Sequence, residues 1–173
     1  CAADYANALA VLLGALSIDR ASIVGHSLGS LMAGSFAAAF PDRIDNLILA
    51  APALGYGTAD KTVRDKKLTD RLQMMETLGP EGMARERSGN LLTDRATDEQ
   101  FDLAKWNMSQ LREDGHAAAA HMLAFGDLLA DTLQITRRFH VICGADDVIT
   151  TAQGTRAFAG KLSRAGYQEI PAA

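Results

Sequence analysis

Ser27 is the residue best placed by its neighbours to do covalent chemistry. It stands in Gly25-His26-Ser27-Leu28-Gly29, a G-x-S-x-G pattern. A short apolar run, Ala21 to Val24, precedes the pattern, and small apolar residues from Leu28 to Phe40 follow it. A tight strand-to-helix turn strains its middle residue and leaves that hydroxyl exposed at the helix N-terminus. Side chains two positions to either side are expected to collide with the neighbouring strand and helix, hence Gly25 and Gly29. The Leu28 amide and the helix dipole favour negative charge developing beside Ser27, so the Leu28 N–H is the expected oxyanion donor. A serine needs a base, and the base needs an orienting carboxylate. Asp146 and Asp147 follow the apolar run Phe139 to Cys143 and offer one. The plainer alternatives are a glycine-rich packing turn with an N-capping serine, and a solvated acidic turn.

The elements that must hold these groups follow from periodicity. Tyr5, Ala8, Leu9, Leu12, Leu13 and Leu16 recur at helical spacing and predict an amphipathic helix over 3–16, facing inward with that stripe. Ala21 to Val24 reads as a buried strand. Leu28 to Phe40 reads as a helix apolar on every face, and so buried on every face. Pro41-Asp42-Arg43 ends it, and Leu47 to Ala51 reads as a second buried strand. Helix, strand, helix, strand in this order means a parallel sheet with crossovers. Functional groups in such sheets gather at the C-terminal strand ends, which places Ser27 and the acidic pair on one edge.

The stretch from Ala51 to the next strand at Phe139 far exceeds the roughly 30 residues of a complete strand-helix-strand unit. The surplus is an insertion with three helical stripes: Leu68, Leu72, Met75, Leu78; Phe101, Ala104, Met108, Leu111; and Met122, Phe125, Leu129. Thr97 with Gln100 three later is a capping-box pattern before the second. After Cys143 come a loop and a helix with Thr155, Phe158, Ala159 and Leu162 inward. Lys161 and Arg164 fall in its expected last turn, with Gly166 as C-cap. Tyr167 to Ile170 begins a last strand.

These pieces resemble the α/β-hydrolase superfamily, in particular its cap-bearing esterase, lactonase and C–C hydrolase group. The resemblance rests on Gly25-His26-Ser27-Leu28-Gly29, on Pro41-Asp42-Arg43-Ile44, and on Ile142-Cys143-Gly144-Ala145-Asp146-Asp147. It implies an α/β fold: a partial α/β-hydrolase fold of about four parallel strands with flanking helices and a helical cap insertion. The implied divisions are 1–57, a core part with the nucleophile elbow; 58–130, the cap; and 131–173, a core part with the acid loop and last strand. The third motif resembles the family's strand followed by Gly-x-x-Asp, which makes Asp147 the triad acid and Asp146 its neighbour. Three departures from the family pattern stand out. Ser30 replaces a frequent second glycine, Thr151 replaces a frequent proline with little expected change to the loop, and no histidine follows Asp147. The family order is nucleophile, acid, histidine. His26, His116, His121 and His140 all precede the acid. His26 should diverge from Ser27 at the turn, His140 should sit in the core or at its rim, and His116 and His121 on the insertion. The triad histidine is therefore expected just after Ala173, and the chain reads as the C-terminal part of a hydrolase.

Met74, Met75, Met83, Met108, Met122 and Trp106 fall in the insertion. Flexible thioethers suit an adaptable apolar ceiling. His26, Met74, Met75, Trp106, Met108 and Met122 are the candidate substrate-pocket residues, the alternative being that they only glue helices together. The expected partner is a small apolar or acyl molecule. The net charge of −4 with no Lys/Arg cluster argues against nucleic acid. No apolar run approaches the about 18 residues that span a bilayer. Two cysteines exclude a disulfide scaffold or a multi-cysteine metal site. No cofactor and no metal are expected, and a cytoplasmic setting is. The strand Ala21–Val24 is expected to form an open edge that invites self-association into homo-oligomers. The leading functional reading is a serine hydrolase cleaving an ester, lactone or related carbonyl bond, C–C bonds included. Acyl transfer by the same residues and non-catalytic ligand binding are the alternatives.

Overall fold

The structure is a computed structural model and describes residues 1–171. The expected start of the histidine loop at Ala172 lies outside the described residues. Packing divides the chain into two units, Cys1–Thr58 with Phe125–Ala173, and Ala59–Ala124.

The first unit is an α/β layer. Its four strands are all parallel, in the order β1 (Ala21–His26), β2 (Ile44–Ala50), β3 (Phe139–Gly144), β4 (Ala165–Ile170). β-branched and apolar residues dominate the two inner strands. On one sheet face Leu47, Leu49, Phe139, Val141 and Cys143 are buried. Over β1 and β2 this face is covered by α2 (Gly29–Ala39), over β3 and β4 by α7 (Ala152–Ala159). The other face holds Val24, 65% exposed, together with exposed His26, His140 and Ile170. β1 and β4 are the edges.

α2 buries Leu31, Ala33, Gly34, Phe36 and Ala37, as its small apolar composition predicts. It packs between α1 (Ala2–Ala15), β1 and α6 (Leu128–Leu133). A Cβ on Gly34 would stand 2.5 Å from Leu128 Cδ1, so the α2–α6 approach depends on that glycine. α1 departs from expectation. Its buried residues are Ala6 and Leu13, whereas Tyr5, Leu12 and Leu16 are exposed, Leu12 by 53%. The small Ala6 lets α1 lean on α2 along a line rotated from the predicted stripe.

The second unit is helical. α3 (Lys61–Arg87) is broken at Gly79, whose φ is +61° ahead of Pro80. α4 (Asp98–Ser109) starts at Thr97 in the predicted capping box. Thr97 Oγ1 accepts from the Gln100 amide at 3.3 Å, and the Thr97 amide donates to Gln100 Oε1 at 2.9 Å. α5 (Glu113–Phe125) ends where the third predicted stripe was expected to continue. Gly126 and Asp127 separate Phe125 from Leu129, because Asp127 caps a new helix, α6, by accepting from the Ala130 amide.

Gly166 is no helix cap. α7 ends at Ala159 with Gly160 at its C-cap, Lys161 and Arg164 lie beyond it, and Gly166 is a residue of β4. Its place beside His140 explains the glycine, since a Cβ there would meet His140 Nδ1 at 3.1 Å.

Candidate active site

Ser27 occupies the two-residue turn between β1 and α2, with φ at +49°. A left-handed backbone at a non-glycine residue costs of order 1–3 kcal/mol and persists only where the surroundings hold it. Here they do. The Ser27 amide donates to Ala50 O at 3.0 Å, and Ser27 O accepts from the amides of Ser30 and Ala53 at 3.0 and 3.1 Å. The exit of β2 thus clasps the turn from the side. That exit is itself strained, with Ala51 at φ +44° and its amide bonded to Ile142 O at 2.8 Å. Nothing in the sequence signals Ala51, an ordinary alanine at the end of an apolar run.

Gly25 is required by space. A Cβ there would lie 2.7 Å from Ala33 Cβ, 2.7 Å from Gly29 O and 2.8 Å from Ser30 Cα. The expectation for Gly29 is corrected. Its Cβ would meet nothing within 4 Å among the described residues, because the first residue of α2 points away from the strand. Ser30 fits its position fully buried and donates its hydroxyl to Gly25 O at 2.9 Å, tying helix to strand across the turn. Leu28 opens α2 in helical conformation, φ −58° and ψ −33°.

Asp147 follows β3 as Ser27 follows β1. The strands are parallel, so both groups lie on the C-terminal edge of the sheet. Asp147 Oδ1 accepts from the amides of Ile149 and Thr150, each at 2.8 Å, and Oδ2 accepts from Thr150 Oγ1 at 2.8 Å. Burial pushes this carboxyl up, but the Thr150 and Ile149 bonds and the nearby His26 charge outweigh it. The carboxyl therefore stands below its usual value and is ionised at neutral pH. Asp146 is exposed. Cys143, one turn of loop away and 2% exposed, donates its thiol to Thr150 O at 3.0 Å and lies 4.0 Å from Asp147 Oδ2. Burial pushes the thiol pKa up, and the Asp147 and Glu169 charges add to that, so it stays protonated. Thr151, at the position of the frequent proline, N-caps α7 by accepting from the Gly154 amide at 3.2 Å.

No histidine is among the hydrogen-bond partners of Asp147 in the described residues. His26 and His140 are exposed, and His140 is therefore not a core residue. His116 Nε2 pairs with Arg71 O at 3.2 Å within the helical unit. Of the candidate pocket residues, Met75 and Met122 are buried, and Met74 and Met108 are half-buried. Met74 Sδ accepts from Arg87 at 3.3 Å. Trp106 is 59% exposed and lines a groove between α3 and α4 with Glu81, Arg85, Asp102 and Lys105. Among the described residues, no group of three or more His, Cys, Asp or Glu could hold a metal, and no helix is long and apolar enough to cross a membrane.

The model of the α/β hydrolase fold matches residues 1–173. The chain belongs to that family. Four parallel strands with flanking helices are the family's architecture in this chain. A hydrolase from Pseudomonas aeruginosa superposes with a TM-score of 0.76 at 28% identity, over 96% of this chain and 62% of that one. RutD of Caulobacter vibrioides is 25% identical over 181 residues, 97% of this chain and 63% of RutD. The homoserine O-acetyltransferase of Thermus thermophilus is 32% identical over 107 residues, 60% of this chain and 28% of that enzyme. The curated relatives are longer than this chain: the 82 residues matched at 40% identity in a mycobacterial protein make up 22% of its length.

Proposed function

We propose that the protein is a serine hydrolase that cleaves an ester, lactone or related carbonyl bond through an acyl-enzyme. The observation that carries this reading is the strained Ser27, φ +49°, at a strand-to-helix turn on the same sheet edge as an ionised Asp147. In this account Ser27 Oγ gives its proton to a histidine and attacks the substrate carbonyl carbon. The carbonyl oxygen takes up negative charge and accepts from the Leu28 amide at the start of α2. Asp147 orients the histidine and stabilises its charged form. The leaving group departs with the proton, and water then cleaves the acyl-enzyme. None of His26, His116, His121 and His140 is assigned as the base. The thioether-rich insertion suits an acyl group of small or medium size.

The test is hydrolysis of nitrophenyl acetate and butyrate by the full-length protein. Ser27→Ala and Asp147→Asn are expected to remove it, and activity surviving Ser27→Ala removes the assignment. The similarity to the Thermus acetyltransferase favours a second reading, acyl transfer to an acceptor other than water by the same residues. Product analysis with added alcohol or thiol acceptors separates the two.

A further inference from the structure

We infer that Thr150 is a positioning residue that fixes the rotation of the Asp147 carboxylate and leaves one acceptor direction of Oδ2 open for the base. The inference rests on the assignment of Asp147 as the acid. A carboxylate offers about four acceptor directions. In this loop Oδ1 is occupied by two amides, those of Ile149 and Thr150. Oδ2 has one oxygen donor at 2.8 Å, Thr150 Oγ1, and otherwise only the Cys143 thiol at 4.0 Å. The two amides alone hold one oxygen and leave the plane of the carboxylate free to turn about it. The hydroxyl on the second oxygen removes that freedom. Three of about four directions are then filled, and the last is the one a histidine N–H can use.

Thr150 is itself held from behind. Its carbonyl accepts from Cys143 Sγ at 3.0 Å and from Thr155 Oγ1 at 3.2 Å. Cys143 belongs to β3 and Thr155 to α7, both buried. The residue thus passes the rigidity of a strand and a helix to the carboxylate. Orientation of this kind enters the rate through the reacting geometry, not through substrate affinity.

The experiment compares Thr150→Val, Thr150→Ser and Asp147→Asn in the full-length protein with a nitrophenyl ester. Valine keeps the shape and both loop amides and deletes only the hydroxyl. A hydrogen bond to a charged group supports a loss of about tenfold to a hundredfold. The expected result is that fall in kcat for Thr150→Val with KM unchanged, and recovery to within about threefold of wild type in Thr150→Ser. Far-UV circular dichroism and Tm accompany each variant. If kcat of Thr150→Val stays within twofold of wild type while Asp147→Asn is inactive, the inference fails and the acid assignment stands. An equal loss in Thr150→Val and Thr150→Ser also overturns it, since a purely structural defect would not be rescued by the hydroxyl. If Asp147→Asn keeps its activity, the acid assignment fails and takes the role of Thr150 with it.

Discussion

The charge state of two neighbouring groups at the end of β3 is set by opposite balances of the same forces. At Asp147 burial raises the carboxyl pKa, yet the Thr150 and Ile149 bonds win and lower it. A carboxylate depressed in the folded state adds stability above its unfolded pKa, and loses it as pH falls through the folded value. Asp147→Asn should therefore be less stable than wild type at pH 7, and the gap should close below the ordinary carboxylate range. Urea unfolding at stepped pH checks this; a gap that is constant with pH contradicts it. At Cys143 burial dominates, and the thiol stays protonated as a donor to Thr150 O. In the native protein a disulfide reagent should titrate Cys1, which is exposed, and reach Cys143 only on unfolding. The place of Ser27 and Gly25 at a strand-to-helix turn, and of Asp147 in the loop after β3, was legible in the sequence because short spacing rules carry it. Thr150 was not, since a threonine three positions after an acid is common in any loop and only the fold shows which oxygen it meets.

The turn from β1 to α2 is where sequence and element agree best, and its two glycines show where the agreement ends. Gly25→Ala forces a Cβ against Ala33, Gly29 and Ser30. Overpacking of this kind costs about 1–3 kcal/mol, and a shifted turn should also lower kcat. Gly29→Ala meets open space at the first residue of α2 and should change stability by no more than about 0.5 kcal/mol. Thermal unfolding and esterase assays of the two variants decide it; equal damage would contradict the asymmetry. β2, β3 and α2 were readable because their apolar residues are buried, whereas Ala21–Val24, read as a buried strand, forms the β1 edge with Val24 65% exposed. α1 was not, because its amphipathic stripe points away from the line of Ala6 and Leu13 that meets α2. Nor was the limit of α7, where Gly160 ends the helix and Gly166 is spared for the crossing with His140. A glycine near a helix end carries no mark of which job it does.

At the scale of the molecule, one sheet face and the β1 edge carry Val24, His26, His140 and Ile170 in the open. Exposed apolar strand edges template association. The 173 residues expressed alone should self-associate, and sedimentation showing a cooperatively unfolding monomer would contradict this. Changing His116, His121 or His140, none of which is assigned as the base for Ser27, should leave ester turnover intact. Robust turnover that vanishes on changing His116, His121 or His140 would contradict that and reassign the base. Everything in the account converges on one hydroxyl. Its most direct test is a fluorophosphonate label on the full-length protein, located by peptide mapping. The account predicts a single adduct on Ser27, absent in Ser27→Ala and formed far more slowly in Asp147→Asn. An adduct on another residue, or labelling undiminished in Ser27→Ala, would contradict it.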